Sequence, residues 1–389
     1  MIQAYQKPLY GNNIGVVFGS FAPLHQGHLD LIMRAKKEND GGCIVIVCGY
    51  DGDKGEPLMP HNMRYRYVRD FFSDDDLVAV YAINDTEIGL SRYPNGWDGW
   101  LKEFGRIWGM AVEHAAMLKA KNYDGEEVCC LVGPDRTWYV GDKNYRDDLV
   151  GIGEECVLVD RTGSNPICAT MIRENPVKYW DKIAAPFREV FSHNILITGT
   201  ASEGKSTLVN DLGKYFNAPH SFEWAKDEYM KNHDISEWEL GSAEFLAFLY
   251  GQHDINKRMI NSSANRGVFF ADTDSNVTRM YAEYYAKDKN FALTEEDFGR
   301  IAIIADELAH KSRWDKIFLI APHGIFVDDH SRYMGHSEMK ERQELFNILV
   351  RNIKNSGDWD KVTVLTGSYY ENFMDIVNYT KEIIYNEKI

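Results

Sequence analysis

The sequence has little of what marks secreted, membrane-spanning or DNA-binding proteins. Its first residues contain no apolar signal segment, and no stretch approaches the ~18 apolar residues that span a bilayer. The net charge is −16, with no long run of Lys or Arg, whereas a protein that binds duplex DNA usually carries a basic face. We therefore expect a cytoplasmic protein without membrane or nucleic-acid partners. The sequence leaves homo-oligomer formation open.

Disulfide and zinc frameworks are also missing. Among the six cysteines, none forms a Cys-x-x-Cys pair, and no Cys/His cluster has the spacing of a zinc site. Four of them lie in apolar, strand-like runs, where we interpret them as small buried hydrophobic residues: Cys43, Cys48, Cys129 and Cys130. This usage is typical of a reducing compartment.

The chain is long enough for two domains, each with its own core, because it has 389 residues. In both halves short apolar runs alternate with longer helical patterns. This alternation predicts two α/β domains, each with a parallel sheet flanked by helices. The pattern restarts after Ala184-Ala185-Pro186, so we place the domains at residues 1–185 and 190–389.

The predicted elements follow this alternation. The strands are 14–18, 43–48, 77–83, 128–132 and 156–159 in the first half, and 194–198, 267–271, 316–321 and 362–365 in the second. The helices are 27–38, 62–72, 97–120 and 170 onward, and then 205–216, 243–261, 295–311, 337–355 and 369–385.

A histidine-containing segment follows the first predicted strand: Gly19-Ser20-Phe21-Ala22-Pro23-Leu24-His25-Gln26-Gly27-His28. A helix begins here, so its N-terminus and the loop backbone can hold phosphate oxygens. The backbone groups concerned are those of Gly19, Ser20, Phe21 and Gly27. His25 and His28 can stabilise the charge that grows on a phosphate under attack. A polar surface pair and a zinc site are the alternatives, but the place between strand and helix favours phosphate, and a third zinc ligand is missing.

A second polar element ends the first half. Thr170 can cap a helix, and Arg173, one turn further on, can reach a polyphosphate. By itself this pair would indicate an ordinary helix start.

The second half opens on a phosphate-binding loop. Gly199-Thr200-Ala201-Ser202-Glu203-Gly204-Lys205-Ser206 fits Gly-x-x-x-x-Gly-Lys-Ser and lies between an apolar strand and a helical pattern. In such a loop Lys205 reaches the β- and γ-phosphates of ATP, and Ser206 binds Mg²⁺. The backbone groups expected to wrap the phosphates are those of Gly199, Ser202, Glu203, Gly204 and Thr207.

Three further segments of the second half carry polar side chains suited to phosphoryl transfer. Asp272 ends a predicted strand, where we expect it near Mg²⁺ or the attacking hydroxyl, with a polar strand cap as the alternative. Glu223 follows the first helix of this half and could bind acceptor hydroxyls or take a proton. Arg332 lies in a segment suited to a lid that meets phosphate at the transition state.

Both sets of motifs, in this order, resemble known enzymes. The first set resembles the nucleotidyltransferase superfamily. Together they look most like the bifunctional nicotinamide-nucleotide adenylyltransferase/ribosylnicotinamide kinases of the NadR type, over nearly the whole chain. The resemblance implies that His25 and His28 bind and stabilise the ATP phosphates, and that Thr170 and Arg173 hold the β- and γ-phosphates. Two positions depart from the family pattern, because Cys168 replaces a usual Ser and Ser20 a frequent Lys.

The resemblance also suggests where the other ligand groups lie. Backbone at Gly133 and Asp135, after the predicted fourth strand, would contact adenosine. Three tryptophans of the first half are candidates to stack on a nicotinamide ring, with ordinary packing as the alternative: Trp97, Trp100 and Trp138. In the second half Phe222 or Trp224 could stack on the acceptor base. Some family members carry an N-terminal helix-turn-helix domain. Because the first strand begins near Ile14, we expect none here.

These features imply a bifunctional enzyme of NAD salvage that uses ATP and Mg²⁺. The second domain would phosphorylate ribosylnicotinamide to nicotinamide mononucleotide. The first would join that mononucleotide to AMP from ATP, giving NAD and pyrophosphate. Two alternatives stay open for the first domain: it acts on another phosphorylated substrate, or it senses nucleotides without catalysis.

Overall fold

The computed structural model describes residues 9, 11–50, 52, 58–116, 119–121, 125, 127–129, 132–159, 167–323 and 338–385. It divides the chain into two compact units, Met1–Phe191 and Ser192–Ile389. Each unit contains a parallel β-sheet with helices packed on it. The predicted fold class, two α/β domains with parallel sheets, is therefore confirmed.

The first unit is built on a five-stranded sheet in the order β3-β2-β1-β6-β7, with every pair parallel. The strands are β1 Gly11–Gly19, β2 Cys43–Gly49, β3 Val78–Asn84, β6 Val132–Val140 and β7 Glu155–Leu158, and a separate antiparallel pair joins β4 Lys119–Lys121 to β5 Glu127–Cys129. The helices are α1 Gln26–Glu38, α2 His61–Phe71, α3 Trp97–Ala116, α4 Lys143–Gly151, α5 Ala169–Glu174 and α6 Ala185–Phe191.

The strands of this sheet are apolar on both faces because helices cover both. Successive residues of β1 enter opposite cores, with Val17 on one face and Val16 on the other. The last helix, α6, packs into the first of these cores through Phe187, Val190 and Phe191. The first unit therefore includes the residues that follow the predicted boundary near Ala184.

One predicted strand is only partly right, because residues 128 and 129 belong to the short strand β5. The sequence placed a strand at 128–132 and a loop at Gly133. In the structure β6 begins at Val132 and continues to Val140. The strand was predicted from the apolar run that ends at Val132. The parallel pairing with β1 starts only at that residue, where Gly11 pairs with Val132.

The second unit has a four-stranded parallel sheet in the order β11-β10-β8-β9. Its strands are β8 His193–Gly199, β9 Val268–Asp272, β10 Lys316–Ile320 and β11 Val362–Leu365. Its helices are α7 Lys205–Phe216, α8 Lys231–His233, α9 Ser242–Ile260, α10 Ser275–Tyr285, α11 Glu295–Lys311, α12 Met339–Asn355 and α13 Tyr369–Tyr385, with a π-helix at Ala225–Met230. None of the helices in the described ranges combines the length and apolarity that crossing a bilayer requires.

Candidate active sites

The histidine segment lies at the carboxyl end of β1, the central strand of the first sheet. His25 caps helix α1, and its Nδ1 accepts a hydrogen bond from the backbone N–H of Gly27 at 3.1 Å. Because Nδ1 is an acceptor, the ring proton resides on Nε2, where it can be donated to a phosphate oxygen. The His25 and His28 rings lie side by side, with their centroids 3.9 Å apart, and His28 lines a neighbouring cleft.

The loop that carries these histidines is held from beneath by a buried arginine. Arg64 of α2 is fully buried and donates hydrogen bonds to the carbonyl oxygens of Ser20 at 2.6 Å and Met59 at 3.1 Å. Phe21 has a left-handed backbone (φ 46°) and packs edge-on against the His28 ring. Arg64 therefore supports the loop backbone, a role that its place in the amphipathic sequence of α2 did not reveal.

The second predicted phosphate-binding element, Thr170 and Arg173, contacts the same loop. Arg173 of α5 donates one hydrogen bond to the carbonyl oxygen of Ala22 and another to the Thr170 hydroxyl at 3.1 Å. Cys168 is exposed at the N-cap of α5 and makes no capping bond with its side chain. The structure thus brings Thr170 and Arg173 against the loop that contains the two histidines.

A cleft of about 460 Å³ opens beside the loop at the carboxyl edge of the sheet. Its lining includes Gly19, Ser20, His28, Asp85, Trp100 and Asp142. Asp85 follows β3 and Asp142 follows β6. Sequence reasoning missed both residues, although the ends of parallel strands are where ligands bind in such sheets.

The three tryptophans of the first half have different surroundings. Trp100 is mostly buried and lines the cleft. Trp97 is half-buried and stacks on Tyr145, a cleft residue, at 5.9 Å between ring centroids. Trp138 belongs to the core, where its indole N–H donates to Glu154 at 2.7 Å. The structure therefore does not bring Trp138 to the cleft.

Gly133 and Asp135 also lie away from the cleft. Both are in the first half of β6, and Asp135 pairs with Asn13 at the amino end of β1. The histidines follow the opposite, carboxyl end of β1. Because the predicted strand was displaced along the sequence, the two residues proposed to contact adenosine fall at the opposite edge of the sheet from the histidine loop. The residues that follow β6 at the cleft are Gly141 and Asp142.

In the second unit, the loop after β8 has the backbone that phosphate binding requires. Gly199 and Gly204 have positive φ angles of 154° and 79°, which side chains disfavour. Helix α7 begins at Lys205, whose ammonium donates to the carbonyl oxygen of Thr200 at 2.7 Å. Ser206 and Thr207 are exposed in the first turn of α7, where their hydroxyls can meet a ligand.

Glu203, within this loop, points its carboxylate into the protein. It forms a fully buried ion pair with Arg342 of α12 and accepts hydrogen bonds from the Thr200 hydroxyl at 3.1 Å and the His323 backbone N–H at 3.1 Å. Because the carboxylate is engaged inside the protein, only the backbone N–H of Glu203 is left to contact a phosphate. Arg342 is 139 residues away in sequence, and no local pattern pointed to it.

Asp272 ends β9 beside Lys205 and Ser206. It is 1% exposed, and no hydrogen bond of normal geometry from the described residues reaches its carboxylate. Burial raises the pKa of Asp272 to about 6, while Lys205 opposes the rise. A buried carboxylate facing a hydroxyl is a donor set that suits Mg²⁺ once phosphate oxygens complete the shell. No group of three or more acidic, His or Cys side chains that could hold a metal ion occurs in the described part of the chain.

A pocket next to these residues offers a place for the acceptor. Its polar lining includes Lys205, Glu223 and Glu237. Aromatic side chains from α9 and α10 form its apolar wall: Phe245, Phe248, Tyr281 and Tyr285. The sequence prediction omitted helix α10, and with it two of these rings.

Phe222 and Trp224 are not among the residues that line this pocket. Phe222 is exposed, and the Trp224 ring packs on Gly251 of α9, at the edge of a separate surface groove. Their backbone flanks Glu223, whose side chain does enter the lining. Arg332, the predicted lid residue, lies outside the described residues.

Known proteins match each half of the chain and the chain as a whole. The family model described as "Cytidylyltransferase-like" matches residues 16–176, and the one described as "AAA domain" matches residues 194–370. Two relatives named "Trifunctional NAD biosynthesis/regulator protein NadR", from Salmonella typhimurium and Escherichia coli, are 29% and 28% identical to the chain. Each alignment covers 97% of this chain and 85% of the relative.

Two solved structures resemble the whole chain. A crystal structure of NadR protein in complex with NR is 32% identical, with a TM-score of 0.79, and the match covers 98% of this chain and 99% of that one. A crystal structure of NadR protein in complex with NAD and AMP-PNP is 32% identical, with a TM-score of 0.77 and 98% of each chain covered.

Proposed function

The chain belongs to the NadR family, and we propose on that premise that it is a bifunctional enzyme of NAD salvage. Its second domain, the P-loop unit, phosphorylates ribosylnicotinamide. Its first domain, the nucleotidyltransferase unit, converts the resulting nicotinamide mononucleotide to NAD. The observation that carries the proposal is the presence of two phosphate loops, each at the carboxyl end of a central parallel strand and each beside its own pocket.

In the kinase reaction the 5′-hydroxyl oxygen of ribosylnicotinamide attacks the γ-phosphorus of ATP, and ADP leaves. Lys205 and the loop backbone hold the β- and γ-phosphates. Glu223 faces the acceptor from the pocket wall and accepts its hydroxyl hydrogen bond or proton. Ser206 and Asp272 would hold Mg²⁺, which neutralises charge on the phosphates when bound.

The acceptor pocket carries negative charge, which complements the positive charge of a pyridinium ring. Glu223 and Glu237 both line it, and aromatic rings form its wall. The Tyr285 hydroxyl donates to Glu237, which holds that carboxylate at the aromatic wall. Aromatic faces and carboxylates together stabilise a planar cation, and ribosylnicotinamide is such a cation.

In the adenylyl transfer a 5′-phosphate oxygen of the mononucleotide attacks the α-phosphorus of ATP, and pyrophosphate leaves. His25 and His28 donate to the phosphate oxygens on which charge grows, and Arg173 holds the departing phosphates. Ser20 contributes backbone groups, because it has no cationic side chain to offer. Thr170, two residues after Cys168, supplies a hydroxyl. The candidates to meet the nicotinamide ring are Trp100, which lines the cleft, and Trp97, which stacks on the cleft residue Tyr145.

The test is to incubate the purified protein with Mg²⁺-ATP and either ribosylnicotinamide or nicotinamide mononucleotide, and to separate the products by chromatography. We expect NAD from both substrates. His28→Ala should stop NAD formation from the mononucleotide while leaving the kinase active, and Lys205→Ala should do the reverse. Mononucleotide accumulating from the first substrate, with no NAD from the second, would contradict the role of the first domain and favour a nucleotide sensor.

A further inference from the structure

One buried amide of α9 holds the backbone on both sides of Glu223. Gln252 is 3% exposed. Its Oε1 accepts a hydrogen bond from the Trp224 backbone N–H at 2.8 Å, and its Nε2 donates to the Phe222 carbonyl oxygen at 3.1 Å. A single side chain thus bonds to one backbone group on each side of Glu223, the acid that faces the acceptor.

Gln252 supplies backbone hydrogen bonds directly after the last bond that this segment makes to the sheet. The Ser221 backbone N–H still donates to the Phe270 carbonyl oxygen of β9, at 3.0 Å, as a strand neighbour would. The Phe222 carbonyl and the Trp224 N–H bond to Gln252 instead, while the Glu223 carbonyl accepts a hydrogen bond from the Asp227 N–H at 2.9 Å. Both backbone groups that flank Glu223 are therefore held by α9 rather than by a neighbouring strand.

The same helix also reaches the segment that follows Asp272. Gln252 donates to the Asn256 side-chain oxygen at 3.1 Å, and Asn256 donates to the Thr273 carbonyl oxygen at 3.2 Å. Thr273 has a left-handed φ of 106°, which a β-branched residue adopts only when its surroundings impose it. Residues four apart on a helix lie on one face, so the pair links Glu223 to Asp272 at a fixed spacing.

We propose that Gln252, acting with Asn256, is a positioning residue for phosphoryl transfer. It fixes the distance between the Glu223 carboxylate and Asp272. The acceptor hydroxyl needs this spacing in order to bind between the two. This inference rests on the proposed kinase function and on the role assigned there to Glu223. Displacement of a reacting group by about 1 Å can cost about 100-fold in rate, so a backbone clamp of this kind has a measurable effect.

The first experiment compares Gln252→Leu with Gln343→Leu in the full-length protein. Gln343 is a matched control, because it makes the same type of bond to Asn347, at 3.2 Å, on an exposed face of α12. We expect Gln252→Leu to lower kcat for ribosylnicotinamide phosphorylation about 10- to 100-fold, with the KM for ATP changed little. NAD formation from the mononucleotide should be unchanged, and Gln343→Leu should match the unsubstituted protein in both reactions.

The second experiment asks whether Gln252 acts through Glu223. In a Glu223→Ala background, Gln252→Leu should lower kcat by far less than it does alone, because the group that it positions is gone. The full loss appearing again in that background would overturn the inference and indicate a general packing role. If Gln252→Leu does not fold, Gln252→Glu replaces it, since this side chain keeps the acceptor for Trp224 and loses the donor to Phe222. A normal kcat in that variant would also overturn the inference.

The two proposals fail differently. No mononucleotide from the unsubstituted protein would refute the kinase function itself. A normal kcat in Glu223→Ala would refute the role of Glu223, and with it the positioning role of Gln252, while leaving the kinase function in place.

Discussion

At the scale of single residues, two buried carboxylates of the second unit differ in what surrounds them. Glu203 is paired with Arg342 and receives hydrogen bonds from Thr200 and His323. Asp272 is equally buried but faces Lys205 and the Ser206 hydroxyl, and no hydrogen bond of normal geometry from the described residues reaches its carboxylate. A satisfied buried acid stabilises structure, whereas an unsatisfied one is a place for a cation. The sequence predicted a metal or base role for the Asp272 carboxylate and a phosphate contact for the Glu203 backbone only. It gave no sign that the Glu203 carboxylate is paired inside the protein.

The unsatisfied carboxylate has a measurable consequence for stability. The pKa of Asp272 is raised by burial to about 6, so the folded protein favours the protonated acid. The protonated Asp272 therefore contributes to the free energy of unfolding at low pH, and this contribution is lost as the pH rises through about 6. In the absence of Mg²⁺, Asp272→Asn should therefore raise the free energy of unfolding by about 3 kcal/mol above pH 6.

This gain should shrink as the pH approaches ~4, where the unfolded chain also protonates the acid. Denaturant unfolding at pH 5 and pH 7.5 checks the trend, with the exposed Asp375→Asn as a control. A gain that is the same at both pH values would contradict the assignment of the shift to burial. Kinase activity should be lost in Asp272→Asn only.

Glu237 provides a test of how the acceptor is selected. Its carboxylate lines the aromatic pocket, so Glu237→Gln should raise the KM for ribosylnicotinamide by about 3- to 10-fold. The KM for the corresponding nicotinate riboside, whose carboxylate cancels the ring charge, should rise less. Steady-state kinetics with both acceptors measure the difference.

The control for Glu237 is its neighbour Glu239. It lies on the same short 3₁₀ turn but is exposed and bonded to Ser236. Glu239→Gln should leave both KM values unchanged. An equal rise for the two riboside acceptors in Glu237→Gln would show that its charge does not select the cation.

At the scale of elements, amphipathic helices and buried strands could be predicted, and elements with other patterns could not. Helix α7 and strand β11 match their predicted bounds. Helix α10 was omitted because eight of its eleven residues are buried, so it lacks the one-sided apolar stripe that marks a surface helix. Strand β6 was misplaced because an apolar run lies directly before it.

Helix α9 carries a glycine whose replacement shows how closely the acceptor segment packs. Alanine usually stabilises a helix relative to glycine. At Gly251, however, an added methyl group would lie 2.4 Å from the Trp224 ring. Gly251→Ala should therefore lower the free energy of unfolding, by about 1–3 kcal/mol, and reduce kinase activity through the displaced segment.

The matched substitution is Gly299→Ala on α11, where nothing lies within 4 Å of the added methyl group. It should raise the free energy of unfolding by up to about 1 kcal/mol. Thermal and denaturant unfolding of the two variants give the comparison. Stabilisation by both substitutions would mean that Trp224 does not rest on Gly251.

At the scale of the whole molecule, the fold and the phosphate loops could be predicted because they depend on local order in the sequence. A strand, a glycine-containing loop and a helix are adjacent along the chain, and the predicted fold class and family are confirmed. The acceptor pocket could not be predicted, because its wall combines α9 with α10. Contacts such as Glu203 with Arg342 join distant positions, and local patterns carry no signal for them.

The presence of two sites in one chain leads to a prediction about mixtures of variants. His28→Ala should make nicotinamide mononucleotide from ribosylnicotinamide but no NAD, and Lys205→Ala should make neither. Mixing the two proteins should restore NAD, since the intermediate is a small molecule that can diffuse. Product chromatography against protein concentration measures this recovery. A His28→Ala/Lys205→Ala chain is the control, and a mixture that stays inactive would contradict the expectation.

The return of the chain to the first phosphate loop determines where the protein can be divided. Ile183 forms an antiparallel bridge with His25, and the Ala184 backbone N–H donates to the Leu24 carbonyl oxygen at 3.1 Å. A shortened first half that ended at Ala185 would keep these bonds but would lose α6, including Phe187, and leave an apolar slot open to water. Such a fragment should aggregate, whereas one that ends at Phe191 should remain dispersed and retain adenylyl transfer.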